Sequence, residues 1–151
     1  MSAINNINQI TKNNKLEITD AHLTSSQITD ISPLAELVKL KCLTLSDNQI
    51  TDISPLAKLI NLEELYLYNN QITNISPLAE LVNLYSLYLD NNQIRDISPL
   101  SKLTYLRELY LSSNQIRDIS PLSKLTNLNI LHTSGNPLMG EKALKCLKEM
   151  R

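Results

Sequence analysis

The groups of this 151-residue chain whose chemistry could exceed packing are two histidines, two cysteines, a column of aspartates and six tyrosines. His22 and His132 are the candidate general bases, but they occupy the same position five turns apart in a 22-residue repeat. At about 4.8 Å per turn they stand roughly 24 Å from each other and cannot share a substrate or a metal. A Ser-His-Asp triad needs contacts of about 2.6–3.2 Å, which leaves only local pairings such as His132 with Ser112 or Ser134. The plainer reading of each histidine is a polar residue on a strand surface, so no catalysis is expected. Asp30, Asp52, Asp96 and Asp118, with Asn74 once in their place, come one per repeat without a second carboxylate beside them. They read as turn-formers, and no metal site is expected. Both glycines, Gly135 and Gly140, lie near the C-terminus, so there is no glycine-rich phosphate loop and no expected cofactor. Cys42 and Cys146 fall four coils apart, beyond disulfide reach. Two unpaired thiols favour a reducing, cytoplasmic setting.

These residues are positioned by the repeat. Asn-Gln-Ile begins at Asn48, Asn70, Asn92 and Asn114, and Ile-Ser-Pro-Leu begins at Ile31, Ile53, Ile75, Ile97 and Ile119, always 22 residues apart. Five units span 18–39, 40–61, 62–83, 84–105 and 106–127, and a truncated sixth begins at Leu128. A fixed period in the twenties marks a solenoid. Each unit carries seven aliphatic positions, which in the third are Leu62, Leu65, Leu67, Ile72, Ile75, Leu78 and Leu81. Leu65-Tyr66-Leu67-Tyr68 alternates inward and outward and predicts a short strand. Ser76-Pro77 then predicts a restart, with Ser as N-cap and Pro at the first helical position, into one or two helical turns. The asparagines at repeat position 9 (Asn48, Asn70, Asn92, Asn114, Asn136) suit a column that bonds successive backbone turns, because an amide both donates and accepts. The alternative is a polar ladder for binding.

Strand positions 3, 5 and 7 point away from the core, and positions 2 and 8 flank them. Position 5 reads His22, Thr44, Tyr66, Tyr88, Tyr110, His132, with Tyr68 at position 7 and Tyr85 at position 2. Tyrosine combines rigid apolar area with a hydroxyl and is enriched in protein interfaces. It is also a good strand residue that supports its stacked neighbours, so a purely structural ladder is the competing reading. Six acids on these positions (Asp20, Asp47, Glu63, Glu64, Asp90, Glu108) against Lys41 and Arg107 leave a net −4 on the face. The candidate partner-binding residues are therefore Tyr66, Tyr68, Tyr88, Tyr110, Glu64, Asp90, Glu108 and His132, facing a basic or mixed protein surface. Arg95 and Arg117 stand where earlier repeats have Thr29, Thr51 and Thr73, a break that fits either a second contact or drift.

Leu-x-x-Leu-x-Leu-x-x-Asn-x-Ile followed by Asp-Ile-Ser-Pro-Leu-x-x-Leu resembles the leucine-rich repeat in its 22-residue form, found in bacterial internalins and in phosphatase-regulating proteins. The resemblance covers 18–138. It implies an α/β solenoid: a right-handed arc with a parallel β-ribbon on the concave face, which usually holds a protein, and short helical turns on the convex face. Residues 1–17 would form an N-terminal cap and 139–151 a C-terminal capping helix, on the spacing of Ala143, Leu144, Leu147 and Met150. The N-terminus lacks the basic start and apolar stretch of a secretory signal, and the exported-adhesin reading is correspondingly disfavoured. A formal charge of −1 gives no electrostatic footprint for nucleic acid, and no apolar run approaches the ~18 residues of a membrane span. The expectation is a non-catalytic protein-interaction module, monomeric or weakly self-associating. The alternatives are a regulator or inhibitor of an enzyme such as a phosphatase, and a consensus-like or engineered scaffold without a natural ligand.

Overall fold

The computed structural model describes residues 18–138. Both expected caps, 1–17 and 139–151, lie outside the described residues. Six three-residue strands, β1 Asp20–His22, β2 Cys42–Thr44, β3 Glu64–Tyr66, β4 Ser86–Tyr88, β5 Glu108–Tyr110 and β6 Ile130–His132, form one parallel sheet in chain order. Every pairing is offset by one repeat, so that Leu43 faces Leu65, Leu65 faces Leu87 and Leu87 faces Leu109. Five 3-10 helices, Ser32–Glu36, Ser54–Lys58, Ser76–Glu80, Ser98–Lys102 and Ser120–Lys124, stack in a second column. The chain is a solenoid with one coil per 22 residues.

The seven aliphatic positions explain the stack. In the third coil Leu62, Leu65, Leu67, Ile72, Leu78 and Leu81 are wholly buried and Ile75 is 1 % exposed; the second, fourth and fifth coils repeat this in one continuous core, and in the first Ile18 is only partly buried. A lone coil would leave both flat sides of that set in water; stacking buries them and gives the backbone its partners.

The strand begins one residue earlier and ends two residues earlier than the alternation suggests, at Glu64 and Tyr66. The ladder nevertheless continues through Leu67, whose N–H bonds to the carbonyl of Tyr88 at 2.8 Å. It ends where position 8 turns left-handed: φ is 53° at Ser25, 58° at Asp47, 56° at Asn69, 54° at Asn91, 56° at Ser113 and 72° at Gly135. Asn, Asp and Gly tolerate that region best, which accounts for four of the six residues, Asp47, Asn69, Asn91 and Gly135.

The helical return is tighter than one or two α-turns. Leu78 N–H bonds to Ile75 O at 3.0 Å and Leu81 N–H to Leu78 O at 3.0 Å, the i to i+3 pattern of a 3-10 helix. The expected Ser N-cap is corrected: the capping position is the preceding Ile, and Ser is the first residue inside. The aspartate two residues before performs the capping instead. Asp52 Oδ1 accepts the Ser54 N–H at 2.8 Å and Oδ2 accepts the Ser54 hydroxyl at 2.9 Å, with the same pair at Asp96 and Asp118. Asn74 supplies its oxygen to the Ser76 N–H at 2.9 Å. These are Asx-turns, and they place the column as turn-formers.

The asparagines at position 9 lie inside the wall. Asn92 is 8 % exposed; its amide nitrogen donates to the carbonyls of Leu67, Leu89 and Asp90, and its oxygen accepts the Ile72 N–H. Each such residue bonds its own coil and the one before, and burial of Asn48, Asn70, Asn92 and Asn114 takes them out of reach of a partner, while Asn136 at the last coil is half-buried.

Candidate functional site

The strand face carries a continuous ring column. Tyr66 and Tyr88 stack with centroids 4.6 Å apart, Tyr88 and Tyr110 at 4.3 Å, and Tyr110 and His132 at 4.7 Å, with interplanar angles of 18°, 9° and 22°. Pairing at β3 to β6 dictates this, because Tyr66, Tyr88, Tyr110 and His132 are direct register partners. The stack stops at the second coil, where the position is Thr44, and the His22 ring of the first coil instead sets its Nδ1 3.2 Å from Thr44 Oγ1. Stacking of this kind adds about 0.5–1.5 kcal/mol per pair beyond buried area. The tyrosines are half-buried: their faces are spent on one another, and their edges remain available.

Carboxylates lock the column. Tyr66 donates its hydroxyl to Glu64 Oε2 at 2.7 Å, and Tyr88 donates to Glu108 Oε2 at 3.0 Å, where the Ser86 hydroxyl also arrives at 3.2 Å. Burial, then these carboxylates, push the Tyr66 and Tyr88 phenols above the usual range. The other acids of the face also have internal partners. Asp90 Oδ1 accepts the Ser112 N–H at 2.9 Å, Asp47 accepts from Asn69 at 2.7 Å, Glu63 pairs with Lys41 at 2.9 Å, and Asp20 accepts from Thr19 at 2.7 Å. Of the residues expected to contact a partner, Tyr66, Tyr88, Tyr110, His132, Glu64 and Glu108 form one bonded or stacked assembly. Tyr68 is half-buried at position 7, and Asp90 is tied to the next coil's backbone.

Among the described residues no reacting constellation forms around His132. Its ring stacks on Tyr110, and the Ser134 hydroxyl donates to Ser112 Oγ at 3.1 Å. Cys42 is half-buried, and burial, followed by Glu64 and Asp20, raises its thiol pKa, which keeps it in the less nucleophilic form. Among the described residues no three potential metal ligands gather, and no helix is long and apolar enough to cross a membrane.

Tyr105 is the feature that periodicity could have flagged. At its position the first coil has Lys39 and the other three complete coils have Asn61, Asn83 and Asn127, each asparagine donating to a carbonyl one coil back: Val38, Ile60 and Thr104 respectively. Tyr105 gives up that bond and stands 68 % exposed. With Tyr85, 39 % exposed, it lines a groove of about 710 Å³ along the edge entering the strands, together with Lys41, Glu63, Asn61 and Asn83. Val38, Ile60 and Val82, a row of exposed aliphatics one residue before the asparagine column, continue the apolar edge.

The sequence profile described as Leucine Rich repeats (2 copies) matches residues 18–58, 60–102 and 106–148. No curated protein matches the chain by sequence. Among solved structures, an internalin (inlF) from Listeria monocytogenes is 42 % identical with a TM-score of 0.86, covering 89 % of this chain and 39 % of its own. Internalin C2 of the same organism is 51 % identical with a TM-score of 0.77, over 78 % of this chain and 52 % of its own. A leucine-rich-repeat protein of Leptospira interrogans is 29 % identical with a TM-score of 0.81, over 89 % and 36 %. The chain thus spans between about a third and a half of the length of these structures.

Proposed function

Because the chain belongs to the leucine-rich-repeat family, we propose that it is a protein-interaction module whose strand face holds a protein partner. The observation that carries this reading is the stacked column Tyr66–Tyr88–Tyr110–His132, braced at two phenols by Glu64 and Glu108. Rings already fixed by neighbours lose little conformational entropy when a partner covers their edges. The six acids keep the net −4 of the face even while internally bonded, so a basic or mixed partner surface is favoured through encounter rate and orientation. Tyr68 and Asp90 extend the surface along position 7, and Tyr85 and Tyr105 extend it past the strand edge. This reading gives the chain no catalytic step, and places it where Cys42 and Cys146 stay reduced, in the cytoplasm.

The test is paired capture from source lysate with the wild type and with Tyr66→Ala/Tyr88→Ala/Tyr110→Ala as baits. Truncating a stacked column loosens it, so both baits require matching circular dichroism, and Tyr85→Ala/Tyr105→Ala serves as a third bait that leaves the column intact. Loss of one identified protein with the triple variant supports the strand face. Equal capture by wild type and triple variant refutes it. Loss with the third bait alone moves the site to the edge.

A further inference from the structure

We propose that Arg95, Arg117 and Gln115 form a binding site for a phosphoryl-class oxyanion, separate from the strand face. The three residues, with Pro137, line a depression of about 460 Å³ on the side of the solenoid where the coils leave the asparagine wall. Position 12 is Thr29, Thr51 and Thr73 in the first three coils, then Arg95 and Arg117 in the next two, so both guanidiniums depart from the frame in adjacent coils. Arg95 Nε donates to Gln115 Oε1 at 2.8 Å, which lays its head group onto the coil that carries Arg117, two residues on. That bond uses one of the five N–H donors and leaves four for a ligand, on a side chain that lines the depression.

Neither arginine is ion-paired among the described residues, although an aspartate follows each one. The carboxylates of Asp96 and Asp118 instead accept the N–H and hydroxyl of Ser98 and Ser120. Two like charges brought over one coil repel, and a dianion between them removes the repulsion while accepting from both forks. Among the described residues the depression is lined by two guanidiniums, an amide and one proline, a donor-rich set that suits phosphate oxygens. The ligand class is inorganic phosphate or a phosphoryl group on a small molecule.

Nuclear magnetic resonance of the full chain would follow the side-chain N–H signals of Arg95, Arg117 and Gln115 during titration. The arms are inorganic phosphate, glycerol 3-phosphate and chloride at matched ionic strength. Saturable shifts with phosphate, at a dissociation constant on the order of 1 mM, are expected, with at least tenfold weaker binding in Arg95→Ala/Arg117→Ala. Arg107→Ala, on the strand face, should bind as the wild type does. Saturation by both phosphate arms identifies a phosphoryl site, and saturation by the inorganic ion alone identifies a free-anion site. Equal shifts with chloride, equal binding by the double variant, or no saturation at tens of millimolar would overturn the proposal. Both arginines are exposed, so an overlay of backbone spectra verifies the fold of each variant.

Discussion

Asn92 serves four backbone groups from one amide, and only an amide of that length can do so. Its nitrogen reaches Leu67 O at 3.0 Å, Leu89 O at 3.1 Å and Asp90 O at 3.2 Å, while its oxygen holds Ile72 N–H at 3.0 Å. Asn92→Ala leaves buried polar groups unpaired, and a loss of about 2–4 kcal/mol is expected from urea denaturation. Asn92→Asp should lose more, because a carboxylate has no donor for three carbonyls. The phenols of Tyr66 and Tyr88 give a second residue-scale prediction. Their folded-state pKa values are raised, so the stabilisation is present below about pH 10 and is lost as pH rises through the folded-state values. Tyrosinate absorbance during alkaline titration should therefore lag for these two rings, and Glu108→Gln should bring Tyr88 back toward the ordinary range. The sequence disclosed the asparagine column because one residue type recurs at one spacing. It hid the carboxylate braces, which depend on which oxygen of Glu64 or Glu108 a phenol meets across or along strands.

Turn chemistry decides each element. The Ile-Ser-Pro-Leu motif announces a helical start, yet the Asp two residues before Ser does the capping, since its side chain already reaches the Ser N–H at 2.8 Å. The motif points to Ser, and the bond lengths point to Asp. The left-handed column at position 8 was legible in principle, because Asp47, Asn69, Asn91 and Gly135 are the residues that tolerate positive φ. Side-chain bonds run along this column from Asn69 to Asp47 and from Asn91 to Asn69, and stop at Ser113. Ser113→Asn should extend the run and raise stability by up to about 1 kcal/mol, read as a shift in denaturant midpoint. Gly135→Ala should lower it by roughly 1–2 kcal/mol. There φ is +72°, and an added Cβ would stand 3.2 Å from Ser113 Oγ and 3.3 Å from its backbone.

At the scale of the whole molecule, stability is shared between neighbouring coils. Leu87 is wholly buried between Leu65 and Leu109, whereas Leu128 in the last described coil is 8 % exposed. Leu87→Ala should cost about 3–5 kcal/mol and Leu128→Ala clearly less, a gradient that thermal melts can establish. The architecture was readable from the period alone, because an aliphatic pattern repeated at constant spacing has one economical way to bury itself. The Tyr105 edge escaped notice because a departure from a pattern is quieter than the pattern. A further consequence lies in the constant offset of 22 between paired strands. A gene segment encoding one whole coil can be duplicated or deleted in the middle of the array with every column kept in line. An insertion of almost any other size would throw all later aliphatics off their columns. Lineages carrying this chain can therefore lengthen or shorten the tyrosine strip in whole steps, matching it to partners of different reach while the fold itself stays unchanged.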